Sequence, residues 1–148
     1  MQIQVERQEL KPAETCIFCK IVRGDIPCAK IFEDDKAIAF LDIAPANKGH
    51  ALIVTKNHYE TLLDVPDKEL NNLMANAKKI ARAFSSALGS KGFNVLMNNK
   101  KTAGQLVLHA HIHVIPRFDG DDIDLNWLPK KYKDKEIDEF KEKIKSFL

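Results

Sequence analysis

Three histidines stand at alternate positions in the segment QLVLHAHIHVIPR, residues 105–117, and mostly apolar residues fill the positions around them. Because neighbouring side chains of a strand point to opposite faces, the segment predicts a strand with one apolar face and one face carrying His109, His111 and His113. A rise of about 3.3 Å per residue puts adjacent histidines roughly 6.6 Å apart and the outer pair roughly 13 Å apart. One metal ion, with Zn–N bonds of about 2.0–2.1 Å, cannot bind all three, so the row is expected to divide its roles.

The other strand patterns favour an antiparallel sheet and therefore an α+β domain. AKIFED and KAIAFLD alternate on either side of Asp34 and Asp35, which indicates a hairpin. HALIVTK and FNVLMN are typical of two further strands, the first of them rich in β-branched residues.

Helical spacing predicts three helices beside this sheet. A short one lies in TCIFCKIVRG, with Thr15 as its N-cap and Gly24 beyond its end. A long amphipathic helix begins near Asp64 or Asp67 and ends at Gly89. Its apolar face is formed by Leu70, Leu73, Met74, Ala77, Ile80, Ala81, Phe84 and Leu88. A C-terminal helix carries Ile137, Phe140, Ile144 and Phe147 on one face, which we expect to pack on the body or on a partner chain.

Composition narrows the function classes. A formal net charge of +2 is too small to indicate a nucleic-acid partner. No apolar run approaches the roughly 18 residues of a membrane span, and the polar start of the chain lacks a signal peptide's apolar stretch, so a cytoplasmic protein is expected.

The three cysteines argue against a disulfide framework, because their number is odd. Cys16 and Cys19 form a CxxC pair, which in an intracellular protein indicates metal or redox chemistry. Cys28 stands alone and is interpreted as a small apolar residue.

A structural reading of the histidine row is the alternative to a functional one. A single histidine in a strand is usually a hydrogen-bonded structural residue, but three on one face need partners for six ring nitrogens. The preceding loop, NNKKTAG, adds free N–H groups and a glycine, Gly104, that permits close backbone approach. Imidazoles beside such a loop are suited to binding a phosphate group.

HAHIHVI resembles the His-x-His-x-His signature of the histidine-triad (HIT) superfamily, in which x is apolar. The likeness covers both CIFCKIVRGDIPCAKIFEDDKAIAFLDIAPANKGHALIVTKNH and AGQLVLHAHIHVIPRF. Within the superfamily, the chain resembles the Hint branch of zinc-binding bacterial and archaeal type. It implies a HIT-like half-barrel that forms a homodimer with sheets joined side by side. We therefore divide the chain into a flexible arm, 1–14, a HIT domain, 15–118, and a C-terminal extension, 119–148, that ends in the amphipathic helix.

The resemblance implies a hydrolase or nucleotidyl transferase that binds purine nucleotides and cleaves at the α-phosphorus. His111 would be the nucleophile, forming a nucleotidyl-histidine, and His113 would bind the phosphate. Asp42 would bind the ribose hydroxyls. Phe18, Ile21, Phe40 and Ile43 would form the base slot, and Asn98, Gln105, Leu106 and Val107 would position the phosphate. Without the resemblance, the four slot residues would be interpreted as core.

Nucleoside phosphoramidates or acyl nucleotides are the expected substrates, with a dinucleoside polyphosphate such as Ap4A as the alternative. A non-catalytic, zinc-stabilised nucleotide-binding scaffold is a further alternative. One departure bears on this choice: many Hint proteins have a serine near the leaving group, where this chain has Leu106. Leucine has no proton to offer, so a leaving group would take its proton from His113 or from water.

In relatives with CxxC, the two cysteines bind structural zinc together with two histidines. Carried over, the ligands are Cys16, Cys19, His50 and His109, while His58 is expected near the site without a metal role. A Cys₂His₂ set suits a closed tetrahedral site. The alternative is a pair of free or redox-active thiols.

Overall fold

An open five-stranded antiparallel sheet organises the part of the chain that the computed structural model describes, residues 12–148. The strands are β1 (Lys30–Glu33), β2 (Ala37–Leu41), β3 (Ala51–Thr55), β4 (Gly92–Leu96) and β5 (His111–Arg117), in the order β1-β2-β3-β5-β4. The helices are α1 (Pro12–Thr15), α2 (Ile17–Arg23), α3 (Asp67–Leu88) and α4 (Glu136–Lys145). The predicted α+β class, with an antiparallel sheet and one long helix, is confirmed.

Both faces of the sheet are packed. On one face, α3 buries Leu73, Ile80 and Phe84 against Ile53 and Ile112, and each large side chain removed from water contributes about 1.5–3 kcal/mol. On the other face, α2 places Phe18 against Phe40 and Leu52. Because α2 and the imidazole side of β5 share this second face, His111 and His113 lie beside an apolar floor.

The histidine strand is shorter than the alternation predicts. β5 begins at His111, and residues 105–110 form a loop instead of extending the strand. The Ala110 N–H donates to the Tyr59 carbonyl at 2.7 Å, and the His109 N–H donates to the nearby Val107 carbonyl at 2.8 Å. Leu108, expected on the apolar face, is consequently exposed. His109 therefore leaves the row and points to a different site from His111 and His113.

The ends of the chain show two further differences. Cys16, not Thr15, is the N-cap of α2, and it makes no side-chain capping bond; Gly24 ends the helix in the left-handed region, as predicted. Residues 1–11 of the predicted arm lie outside the described residues. At the other end, the apolar face of α4 is exposed, so its predicted packing on the body is wrong and packing on a partner stays a prediction. No helix in residues 12–148 combines the length and apolarity needed to cross a bilayer.

Candidate active site and metal centre

A cleft of about 370 Å³ opens between α2, β2, the 104–107 loop and the histidine end of β5. Phe18, Ile21 and Phe40 form its apolar wall, and His111 and His113 stand at its inner end. Eleven residues were predicted to bind a nucleotide. Besides His113, nine of the other ten line this cleft. They are Phe18, Ile21, Phe40, Asp42, Ile43, Asn98, Leu106, Val107 and His111.

His111 is held with one ring nitrogen committed and one available. Its Nδ1 lies 2.6 Å from the carbonyl oxygen of His109, which can only accept, so Nδ1 carries the proton and Nε2 keeps a lone pair. Phe18 packs edge-on against the ring, with centroids 5.0 Å apart. Burial lowers the pKa of His111, although the His109 carbonyl opposes that shift. The buried imidazole is therefore neutral at neutral pH, as a nitrogen nucleophile requires.

His113 has the opposite tautomer because His50 stands behind it. The Ala46 N–H donates to His50 Nδ1 at 3.1 Å, so the His50 proton is on Nε2, which lies 2.9 Å from His113 Nδ1. His113 must then accept at Nδ1 and carry its own proton on Nε2. Burial, followed by the neighbouring His111 and His50, lowers the pKa of His113 to about 4. The two triad histidines thus present a lone pair and an N–H donor side by side, with ring centroids 4.9 Å apart.

One carboxylate, that of Asp42, lines the cleft beside its apolar residues. Asp42 fixes its own loop, because its Oδ1 accepts the Ala44 N–H at 2.9 Å, and its Oδ2 lies 3.9 Å from His50 Nδ1. Ile43 is fully exposed and Leu106 is 95% exposed, so both stand at the rim and neither belongs to a closed slot. A ligand that reached them would cover apolar surface that is otherwise in water.

Gln105 is the predicted nucleotide residue that the structure places elsewhere. Its Nε2 donates to the carbonyls of Glu60 and Val107, at 2.6 and 3.0 Å, and its Oε1 accepts the Lys100 N–H at 2.7 Å. Both N–H donors of the buried amide are therefore bound to backbone carbonyls, which leaves neither for a phosphate oxygen in this structure. Gln105 instead fixes the shape of the loop that carries Leu106 and Val107.

A second cluster gathers two cysteines and two histidines on the other side of His111. His109 Nδ1 lies 3.4 Å from Cys16 Sγ and 3.5 Å from Cys19 Sγ, and His58 Nδ1 lies 3.3 Å from Cys19 Sγ. All four donor atoms lie within 4.8 Å of one another. Tetrahedral zinc, with bonds of about 2.0–2.3 Å, separates nitrogen and sulfur ligands by roughly 3.5 Å. The donor set and its spacing therefore fit zinc.

The surroundings of the cluster favour metal binding. His109 is fully buried, and its Nε2 lies 2.8 Å from the Thr55 carbonyl, which keeps the proton there and leaves Nδ1 free for a metal. Burial lowers the pKa of His109 to about 4, so the ring is neutral. Burial and the adjacent Cys16 raise the pKa of Cys19 to about 11. A bound cation would replace the proton of the Cys19 thiol and would so offset the burial and the neighbouring thiol that raise its pKa.

His50, which was predicted as the fourth ligand, does not lie in this cluster. The structure places His50 beside His113 and Asp42, and brings His58 to the cysteines instead. The two histidines flank the same strand in the sequence: His50 directly precedes β3, and His58 lies three residues beyond its end. The loop after β3 turns back towards α2, and no local sequence pattern predicts this turn.

Comparisons with known proteins agree with this architecture. The HIT domain family matches residues 23–120. The adenosine 5'-monophosphoramidase of Schizosaccharomyces pombe is 45% identical over 103 residues, covering 70% of this chain and 74% of that protein. A HIT family protein from Bacillus subtilis superposes with a TM-score of 0.84 at 39% identity, covering 90% of this chain and 97% of that one.

A metal-containing structure is also similar. The Zn-bound histidine triad family protein from Mycobacterium smegmatis superposes with a TM-score of 0.73 at 38% identity, over 80% of this chain and 86% of that one. Together with the family match, these likenesses confirm the resemblance that the histidine row indicated. The chain belongs to the HIT family.

Proposed function

We propose that this HIT-family hydrolase cleaves nucleotides at the α-phosphorus through a covalent intermediate on His111. The observation that carries the proposal is the tautomer of that ring: Nδ1–H is bound by the His109 carbonyl, and Nε2 faces the cleft with a lone pair. The names of relatives such as the fission-yeast monophosphoramidase support an adenosine nucleotide as the bound group.

In the first step, His111 Nε2 forms a bond to the α-phosphorus while the bond from phosphorus to the leaving group breaks. The ring keeps its Nδ1 proton and so becomes positively charged in the adduct, which the carbonyl oxygen of His109 at 2.6 Å stabilises. The Nε2–H of His113 donates to a phosphate oxygen as charge develops. In the second step, a water oxygen bonds to phosphorus, the N–P bond breaks with its electron pair returning to Nε2, and the proton of the attacking water is released to solvent.

The nucleoside fills the outer part of the cleft. Its base lies between the apolar side chains of Phe18, Ile21 and Phe40, and Asp42 accepts hydrogen bonds from the ribose hydroxyls through its cleft-facing carboxylate. Purines cover more of this wall than pyrimidines, so they gain more from burial. The leaving group departs past Leu106 at the rim.

The pH dependence of kcat/KM should have an acid limb and then a plateau. The histidines that face the phosphate have lowered pKa values, His113 to about 4, so both are neutral at neutral pH. Protonation of His111 removes the attacking lone pair, and protonation of His113 Nδ1 breaks its bond from His50. Activity is therefore expected to fall as pH drops, with a midpoint below 6.5. A midpoint above 7, measured with a substrate that does not titrate in this range, would contradict the assignment.

Turnover should depend on whether the leaving group needs a proton. An acyl adenylate releases a carboxylate, which needs none, whereas an adenosine phosphoramidate releases an amine that takes a proton from water because Leu106 has none to give. We expect Leu106→Ser to raise kcat/KM for the phosphoramidate by about tenfold and to leave the acyl adenylate unchanged. The gain is smaller than the roughly 10²–10⁴-fold of a well-matched general acid, because a serine hydroxyl is a weak acid.

The same assay compares both substrates with Ap4A. A kcat/KM for Ap4A that strongly exceeds both would establish the dinucleoside polyphosphate alternative. Absence of turnover with all three, alongside retained AMP binding, would support the scaffold.

A homodimer through β4 is part of the proposal. β4 is an edge strand with regular pairing to β5 only, whereas the other edge, β1, is interrupted by a register shift. Beside β4, Met74 and Phe93 are more than half exposed, which leaves an apolar strip along an open edge. Sedimentation equilibrium is expected to show a dimer that Phe93→Glu weakens, and a parent protein that stays monomeric at micromolar concentration would contradict it.

We also propose zinc as a structural metal held by Cys16, Cys19, His58 and His109. When bound, the ion supplies no chemistry to the phosphate and instead ties α2, the loop after β3 and the loop before β5 together. His109 belongs to both sites, because its ring faces the cysteines and its carbonyl holds His111. The metal centre thus supports the nucleophile through one residue.

A further inference from the structure

A buried carboxylate lies at the corner where α3 begins and has no role in the chemistry described so far. Glu69, in the first turn of α3, is only 9% exposed. Its Oε1 accepts hydrogen bonds from Asn57 Nδ2 at 3.2 Å and from the Tyr59 hydroxyl at 3.0 Å. These two residues flank His58 in the chain, so one oxygen holds the segment that presents His58 from both sides.

The same segment also holds the backbone between His109 and His111. The Tyr59 carbonyl accepts the N–H of Ala110 at 2.7 Å, and Ala110 stands between His109 and His111. Further back, the Thr55 carbonyl accepts from His109 Nε2 at 2.8 Å. The 55–59 segment is therefore fixed to Glu69 on one side and to the histidine segment on the other.

This corner also contains the polar atoms that the fold leaves unpaired. Within residues 12–148, His58 Nε2 and Glu69 Oε2 are the two buried side-chain polar atoms without a hydrogen-bond partner. No lysine, arginine or histidine in that part of the chain pairs with the Glu69 carboxylate. A buried carboxylate oxygen without a hydrogen-bond partner is costly, so it persists where something else depends on it. Histidines that bind metals are commonly supported by a carboxylate behind them.

We infer that Glu69 is a positioning residue of the metal centre. Through Asn57 and Tyr59 it sets the place of the His58 ring relative to the cysteines, and through the Tyr59 carbonyl it sets the backbone at Ala110. This inference rests on the proposed metal site and extends it to a residue that contacts neither metal nor nucleotide.

The test compares Glu69→Ala, Glu69→Gln and Asp67→Ala in the full chain. Asp67 is the matched control because it carries the same charge in the same first turn of α3 but is exposed. Zinc affinity is measured by competition with a chelator, and the absorption of the Co²⁺-substituted protein reports the ligand geometry. Glu69→Ala is expected to lower zinc affinity by about 10–100-fold and to change the Co²⁺ spectrum. Glu69→Gln keeps the accepting oxygen and should recover most of the loss, and Asp67→Ala should match the parent.

Hydrogen exchange of the Ala110 amide gives a second readout that needs no metal. In the metal-free protein, Glu69→Ala should accelerate this exchange relative to Asp67→Ala. If Glu69→Ala folds poorly, Tyr59→Phe removes one of the two bonds to Glu69 and should shift both readouts in the same direction. Parent-like zinc affinity and parent-like Ala110 exchange in these variants would overturn the inference. If the parent chain binds neither zinc nor cobalt, the proposed metal site itself is refuted, and the inference about Glu69 is refuted with it.

Discussion

Replacing His111 with alanine is expected to reduce nucleotide turnover by about 10³-fold or more, because no other described side chain presents a free nitrogen lone pair to the cleft. His113 cannot substitute for it. Its Nδ1 accepts from His50, and the Nε2 that remains carries a proton. His109 cannot substitute either, because its ring is buried with the cysteines. Steady-state assays with an adenosine phosphoramidate and an acyl adenylate measure the loss.

The binding of AMP separates a lost nucleophile from a damaged fold. The His111→Ala protein should bind AMP within about tenfold of the parent, because the apolar wall of Phe18 and Phe40 and the carboxylate of Asp42 remain. His113→Ala is the companion variant: it removes one donor to the phosphate, should cost roughly 10²–10³-fold, and should still form the adduct on His111. An acid-labile nucleotide adduct trapped from His113→Ala but not from His111→Ala completes the assignment. Turnover within tenfold of the parent in His111→Ala would refute it.

Local patterns predicted the elements well where one face is apolar and the other polar. The face from Leu73 to Phe84 gives α3 its orientation, and the hairpin around Asp34 follows from alternation on both sides of a turn. The pattern failed at residues 105–110, where the alternation of β5 continues in sequence but not in structure. Gln105 explains the failure, because its buried amide binds three backbone groups and holds the segment as a loop. Such a side chain competes with strand pairing in a way that hydrophobic periodicity does not register.

The candidate site was likewise predictable in part from the sequence. The spacing of the triad predicted that the histidines could not act as one group, and the structure separates His109 from the other two. The cluster that could hold a metal consists of the predicted kinds of residue, two cysteines and two histidines, with His58 where His50 was expected. His50 and His58 both lie near β3, and only the path of the chain after that strand decides which one reaches Cys19. No sequence pattern predicted that Glu69 is buried, because an acidic residue in the first turn of a helix is ordinarily a favourable surface charge.

Loss of the metal is expected to lower the thermal stability more than any single surface change. Cys19→Ser removes a buried ligand whose sulfur lies within 3.5 Å of both cluster histidines. Zinc content should fall from about one per chain to near zero. Because a bound metal stabilises only the folded chain, a contribution of about 4 kcal/mol is reasonable, and at roughly 2–4 °C per kcal/mol the Tm should drop by about 10 °C. Elemental analysis and calorimetry measure the two quantities.

Three matched variants make this prediction specific. Cys28→Ser is the control for the loss of a thiol, because Cys28 packs beside the apolar floor of the cleft and belongs to no metal cluster in residues 12–148. It should keep both its zinc and its Tm. His58→Ala should lose zinc, whereas His50→Ala should keep zinc and lose turnover, because His50 supports His113. The reverse result for the two histidines would show that His50 is the fourth ligand, and a chelator that lowers the Tm of Cys19→Ser as much as that of the parent would remove the case for a structural metal.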